Sequence, residues 1–198
     1  MEWTDREVEG ADLTLLRCEK MERCRLVRCD LRSARLSELQ TTGCSFEECN
    51  FSGASLSSSK HRGTAFLNCD LSGADLFGAD LEHCRMVGSI FADTVLTAAR
   101  VKGGDWSAAL LRMQDLAGFD LTEMKLEGAD LYGANLANCA LRFSTLSNAN
   151  LQHAKLTEAD LRGADISGVD FRGVEVKGAR MSLDQAVAFA ISYGVVVE

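Results

Sequence analysis

An apolar residue stands at every fifth position from Leu16 to Met181, 34 positions without an insertion, and only Thr41 and His61 break the rule. The stretch Ala129 to Ala137, ADLYGANLA, shows the unit clearly: a small residue, then Asp or Asn, then a central Leu, then two variable residues. A repeat this regular decides the architecture before any single residue does. On an α-helix five residues turn roughly 500°, so successive centres drift by about 140° and never form a face. In a flat strand an odd spacing sends alternate centres to opposite sides. The pattern therefore predicts a coil that turns a corner within each unit. The small residue and the centre, two apart, both point inward on a short extended segment. Gly53, Gly73, Gly78, Gly128, Gly133 and Gly163 fall two residues after a centre, where a tight corner often needs positive φ.

Like should stack on like in a solenoid. Phe46, Phe66 and Trp106 share one position modulo twenty, and Phe51, Phe91 and Phe171 share another. The two polar centres, Thr41 and His61, are also twenty apart. Four walls per coil is thus favoured. The pattern over residues 16–181 resembles the pentapeptide-repeat family. That resemblance implies an all-β fold, a right-handed quadrilateral β-helix, with Phe46, Phe66, Leu131 and Leu136 among its inward core centres.

The ends depart from the pattern. Trp3, Val8 and Leu13 keep the five-residue spacing in another phase, and the register slips by two between Leu13 and Leu16. A partial first coil over the N-terminal end is expected. Gln114, Phe119 and Met124 place large residues in three consecutive small slots, which predicts a local bend or bulge. After Met181, Ser182 and Gln185 read as a capping box. Leu183, Ala186, Val187, Ala190 and Ile191 follow at helical spacing, Gly194 ends the helix, and Val195, Val196 and Val197 read as a short strand. The expected division is 1–181 for the β-helix and 182–198 for a capping helix and strand. Phe189 lies off the stripe, and with Val195, Val196 and Val197 it suggests an apolar dimer interface.

Chemistry-bearing residues are mostly absorbed by the repeat. Seven of the eight Cys occupy the small inward slot, which makes them small buried hydrophobes rather than metal ligands or disulfides. His61 replaces a core centre and reads as packing, while His83 and His153 fall in corners facing solvent. Asp is common just before the centre, where a short acid can bond corner N–H groups. No nucleophile triad, paired carboxylates, phosphate loop or dinucleotide fingerprint is present. We expect no enzyme, no catalytic residues, no cofactor and no metal. A net charge of −8 and a pI near 5.0 argue against direct nucleic-acid binding. With no membrane-length apolar run and no secretory leader, a cytoplasmic protein is expected.

Within the family, the opening W-x-D-x-E, the segment SKHRG at 59–63 followed by Thr64-Ala65-Phe66, and the tail from Asp184 to Ala190 resemble the MfpA and Qnr fluoroquinolone-resistance branch. That resemblance implies a homodimer joined through its C-termini that mimics DNA and binds DNA gyrase. Qnr proteins carry loops that interrupt the repeats; residues 16–181 here hold none, as in MfpA. Duplex DNA carries about 24 charges in the ~40 Å that such a protomer would span, far more than −8. Mimicry must then rest on shape and on local acids, and the densest group is Asp105, Asp115, Asp120, Glu123 and Asp130. The alternatives are an interaction scaffold with a partner other than gyrase, and an enzyme built on a β-helix. The second would need acids and bases gathered on one wall; here they are scattered.

Overall fold

The computed structural model describes residues 1–197. They fall into two compact units, Met1–Asp105 and a second that begins at Trp106. Each is built of coils of a right-handed quadrilateral β-helix, and the second carries the C-terminal helix.

In the first unit ten short strands share one parallel sheet. They are β1 (Glu2–Thr4), β2 (Glu7–Glu9), β3 (Lys20–Glu22), β4 (Arg25–Val27), β5 (Gln40–Thr42), β6 (Ser45–Glu47), β7 (Lys60–Arg62), β8 (Ala65–Leu67), β9 (Asp80–Arg85) and β10 (Arg100–Asp105). Centres twenty residues apart stack: Met21, Thr41, His61, Leu81 and Val101 on one wall, and Leu26, Phe46 and Phe66 on the next. The third and fourth walls are columns of parallel bridges, Asp30–Asn50–Asp70–Ile90 and Arg35–Ser55–Asp75–Val95. Inside, Phe46 stacks on Phe66 at 4.9 Å, and Phe51 meets both edge-on.

The first coil is more complete than a partial cap. It pairs on three walls, Trp3 with Met21, Val8 with Leu26 and Asp12 with Asp30. These offsets are 18, so the two missing residues fall in the fourth wall, at Thr14–Arg17. There the N–H of Leu16 turns back onto Leu13 O (2.8 Å), and Leu15 stands 92% exposed.

In the second unit each wall is a column of single bridges between corners: Leu110–Asp130–Asn150, Asp115–Asn135–Lys155–Glu175, Asp120–Ala140–Asp160–Arg180 and Lys125–Thr145–Asp165. Leu131 and Leu136 are fully buried. No bulge appears in this register. Gln114 and Met124 are buried and Phe119 is half-buried, yet the pairing keeps its offset of twenty. The same slots one coil on hold Ala134, Cys139 and Ser144, so large side chains are followed by small ones.

Helix α1 (Leu183–Ser192) follows the last coil. Its packing differs from the expected stripe. Leu183 is 81% and Ile191 55% exposed, while Gln185 is buried. The cause is hydrogen bonding. The coil beneath ends in carbonyls that need donors, and Gln185 Nε2 donates to Leu161 O (2.6 Å) and Ala164 O (2.7 Å). Its Oε1 accepts the Ser182 N–H at 2.8 Å, as in a capping box. Gly194, at φ +81, stops the helix. Val195–Val197 form no strand and are exposed, so the expected short strand is absent from this protomer.

Candidate partner-binding surface

The outward positions of the coil are those flanking each centre. An Asp or Asn just before the centre bends back to accept the N–H just after it. Asp30, Asn50, Asp70, Asp75, Asp115, Asp120, Asp130, Asn135, Asn150, Asp160, Asp165 and Asp170 all do so, at 2.9–3.2 Å. This bond holds the corner. The following residue takes a positive φ whether or not it is glycine: Glu38 at +63, Glu123 and Asn138 at +59.

The acids singled out in the second unit do not share one surface. Asp115, Asp120 and Asp130 sit in three separate columns of the second unit. Glu123 lies at the corner after the wall of Asp120, and Asp105 closes β10 in the first unit. Their partners also differ. Asp130 is neutralised by Arg112 (3.0 Å), whose guanidinium lies 4.3 Å over the Tyr132 ring, and that ring meets His153 edge-on at 5.1 Å. Nothing in the repeat arithmetic pointed to this stack, because its members occupy variable positions. Asp115 accepts the Asn135 amide at 2.8 Å. Among the described residues, Asp115, Asp120 and Glu123 form no ion pair, and all three are exposed. They occupy adjacent walls and the corner next to them.

Several acids elsewhere are paired. In the first unit Arg25 pairs with Glu47 (2.7 Å), Arg62 with Glu82 (2.6 Å) and Arg23 with Asp5 (2.7 Å). Asp160 and Asp170 are each bridged at 2.6 Å by the arginine two residues on, which holds both carboxyls down at about 2.

Phe189 is half-buried, against Phe171 (5.4 Å) and Tyr193 (5.1 Å) of its own protomer. The outward apolar surface at this end consists instead of Leu183, Ile191 and Val195–Val197.

The interior holds one polar chain. His61, 2% exposed, bonds Thr41 Oγ1 through Nδ1 (2.7 Å) and Ser59 Oγ through Nε2 (2.9 Å). Thr41 Oγ1 bonds Thr64 Oγ1 (2.8 Å), which donates to Arg62 O. Every hydroxyl proton finds an acceptor if Ser59 donates to Nε2 and the Nδ1–H donates to Thr41, so the neutral Nδ1–H tautomer fits. Burial pushes His61 down to about 4. All eight cysteines are free and buried, and burial raises Cys84 to about 12 and Cys139 to about 11. Neither of these two is a reactive thiolate. No group of three metal-ligating side chains occurs among the described residues, and no described helix is long and apolar enough to cross a membrane.

The family model for pentapeptide repeats matches residues 74–112, 107–142, 134–173 and 144–182, and the model for a pentapeptide repeat region matches 19–84. The chain belongs to the pentapeptide repeat family. No curated protein matches the sequence. Among solved structures it is similar to full-length QnrB1, a plasmid-mediated fluoroquinolone resistance protein, at 23% identity, TM-score 0.85, covering 98% of this chain and 100% of that one. A trypsin-treated QnrB1 variant matches at 25% identity and TM-score 0.78 over the whole of both chains. HetL, a pentapeptide repeat protein involved in heterocyst differentiation regulation in the cyanobacterium Nostoc sp. strain PCC 7120, matches at 27% identity and TM-score 0.65, covering 91% and 89%.

Proposed function

We propose that this protein is a DNA-mimicking ligand of DNA gyrase that modulates or inhibits the enzyme and confers fluoroquinolone resistance. It acts by occupancy, without catalysis, and it works as a homodimer joined through the apolar surface of Leu183, Ile191 and Val195–Val197. The observation that carries the reading is the set of exposed carboxylates at Asp115, Asp120 and Glu123, free of ion pairs on adjacent walls of the second unit and the corner next to them. Carboxylates presented at fixed spacing on a rigid coil suit sites that hold backbone phosphates, and complementary charge speeds encounter. The likeness to QnrB1 supports it as a matter of fold. Asp130 contributes less than its position suggests, because Arg112 cancels it.

The test is gyrase supercoiling with and without a fluoroquinolone. Wild type should inhibit supercoiling, and less so as salt rises, because exposed charges are screened beyond ~8 Å at physiological ionic strength. Asp115→Lys with Asp120→Lys should weaken inhibition. A wild type that never binds gyrase leaves the scaffold reading, for which the HetL likeness shows that this fold serves another process.

A further inference from the structure

On the fourth wall of the first unit, each coil binds the one before it through three backbone bonds. Between the coils of Leu36 and Leu56 these are Ser55 N–H to Ala34 O (3.0 Å), Leu36 N–H to Ser55 O (2.8 Å) and Glu38 N–H to Ser57 O (2.8 Å). The same trio joins the coils of Leu56 and Leu76, through Asp75 N–H, Asp75 O and Phe77 O. One coil earlier the trio is missing. Arg35 and Ser37 hold the positions of Ser55 and Ser57. Among the described residues, the N–H and C=O of Arg35 and the C=O of Ser37 have no hydrogen-bond partner. The shortened first coil is the reason. Leu16 spends its N–H on Leu13, so Thr14–Arg17 stands off from the wall it should pair with.

The gap is a cleft of about 580 Å³ between Thr14–Arg17 on one side and Arg32, Ser33 and Arg35 on the other. It is the one wall of the first coil left unpaired, an open parallel edge of the kind that recruits an added strand. Its charge is local and opposite to that of the chain. Arg17 and Arg35 form no ion pair among the described residues, whereas Arg32 is held by Asp30 at 2.6 Å. Beside the cleft, Asp12 is occupied by the Thr14 N–H (3.0 Å) and hydroxyl (2.7 Å), Glu19 pairs with the N-terminal amine (3.5 Å), and Glu38 is exposed at the next corner. The charged side chains that line the cleft are thus three guanidiniums and no carboxylate. At contact distance this outweighs a net −8 spread over the whole chain, most of which lies beyond the screening length.

We infer that this cleft binds an extended acidic peptide segment of a partner protein, which adds a parallel strand to the fourth wall. The strand accepts the Arg35 N–H and donates its own N–H groups to Arg35 O and Ser37 O. Its carboxylates meet Arg17 and Arg35, and an apolar side chain covers Leu15. The inference does not rest on the gyrase reading, whose acids lie in the second unit.

The experiment measures binding of a fluorescent peptide of alternating Glu and Val to the full chain. A matched peptide with alternate backbone nitrogens methylated is measured in parallel. Wild type should bind the first at least about tenfold more tightly than the second, since methylation removes the donors that Arg35 O and Ser37 O require. Arg17→Glu with Arg35→Glu should weaken binding by a similar factor while the far-ultraviolet dichroism stays unchanged. The methylated pair needs only wild type, so the test survives a variant that fails to fold. Equal binding of the two peptides, with displacement by free phosphate or glutamate, would mean a small-anion site and overturn the inference. So would wild type that binds neither peptide, or a folded double variant that binds as wild type does.

Discussion

The two units of the chain close the same five-residue path by different means. In the first, two walls carry three-residue strands, and long charged side chains reach across coils, as Arg25 does to Glu47 and Arg62 to Glu82. Its interior mixes aromatic rings with Cys24, Cys29, Cys44, Cys49 and the His61 chain. In the second, walls shrink to single bridges, corners are tied by the Asp or Asn before the centre, and ion pairs run within one corner, as Asp160–Arg162 does, or between coils, as Arg112–Asp130 does. Its interior is largely Leu over Ala. The period therefore fixes the path, while how far each wall extends differs between the two units.

Core truncation should break the comparison most severely. Phe66→Ala removes a ring that touches Phe46, Phe51 and His61, and should cost ~3–5 kcal/mol. Leu131→Ala should cost ~2–5 kcal/mol. Trp3 reports on the first unit and Trp106 on the second, so urea melts followed through single-tryptophan variants show which unit each substitution loosens. A change below about 1 kcal/mol for either would contradict inward-facing centres.

The His61 chain gives the first unit a pH dependence that the second lacks. The folded state holds His61 at about 4, against 6.5 for an ordinary imidazole. Because the folded value is depressed, the neutral form favours folding. Its contribution is fully present above pH 6.5 and is lost as pH falls toward 4. The charged groups on the surrounding strands are Lys60, Arg62, Asp80, Glu82 and Arg85, all on the outer face, where they leave the interior without a counter-charge. The loss should reach about 3 kcal/mol. His61→Leu should flatten the dependence between pH 6.5 and 4 in urea melts of the first unit. An unchanged slope would show that His61 does not carry it; Asp160 and Asp170, in the second unit, lose their contribution only at still lower pH and cannot account for it.

The path was legible from the spacing alone, because 34 in-register centres admit one solution. The four-wall count followed from Phe46 over Phe66 and Thr41 over His61. Three features were not legible. The orientation of α1 depended on where the last carbonyls lay, so an apolar stripe was a poor guide and Gln185 faced inward; its capping-box position was noted, but not its second role. The acids of the second unit were close in sequence and distant in direction, since five residues turn the chain by one wall. The offset of Gln114, Phe119 and Met124 by Ala134, Cys139 and Ser144 required pairing one coil with the next.

Gln185 sharpens the contrast at the C-terminal end. Gln185→Ala leaves Leu161 O and Ala164 O without their donor and removes the bond to Ser182 N–H. The cost should be ~1–3 kcal/mol, nearer the lower figure if water enters. Hydrogen exchange should show α1 protection falling ahead of the coil below. Leu183→Ser, at an exposed position of the same helix, should leave protomer stability within about 0.5 kcal/mol and instead weaken self-association. Sedimentation velocity separates the two: a monomeric Gln185→Ala beside an intact Leu183→Ser dimer would refute the proposed interface.

The smallest effect separates structure from function at the corners. Asp120 both accepts the Thr122 N–H at 3.1 Å and presents a charge to solvent. The bond needs only a short side-chain oxygen, and Asn supplies it in this same chain: Asn50 to Ser52 at 2.9 Å, Asn135 to Ala137 and Asn150 to Gln152 at 3.2 Å. Asp120→Asn should therefore change stability by no more than a few tenths of a kcal/mol, whereas Asp120→Ala loses the acceptor and should cost ~0.5–1 kcal/mol. Gyrase inhibition should order the same variants differently, because Asn and Ala both remove the charge and should weaken it alike. Thermal melts and supercoiling assays on the pair resolve the question. If inhibition instead tracks stability, with Asn active and Ala impaired, the corner geometry rather than the carboxylate is what the partner reads, and the acidic edge loses its place in the proposal.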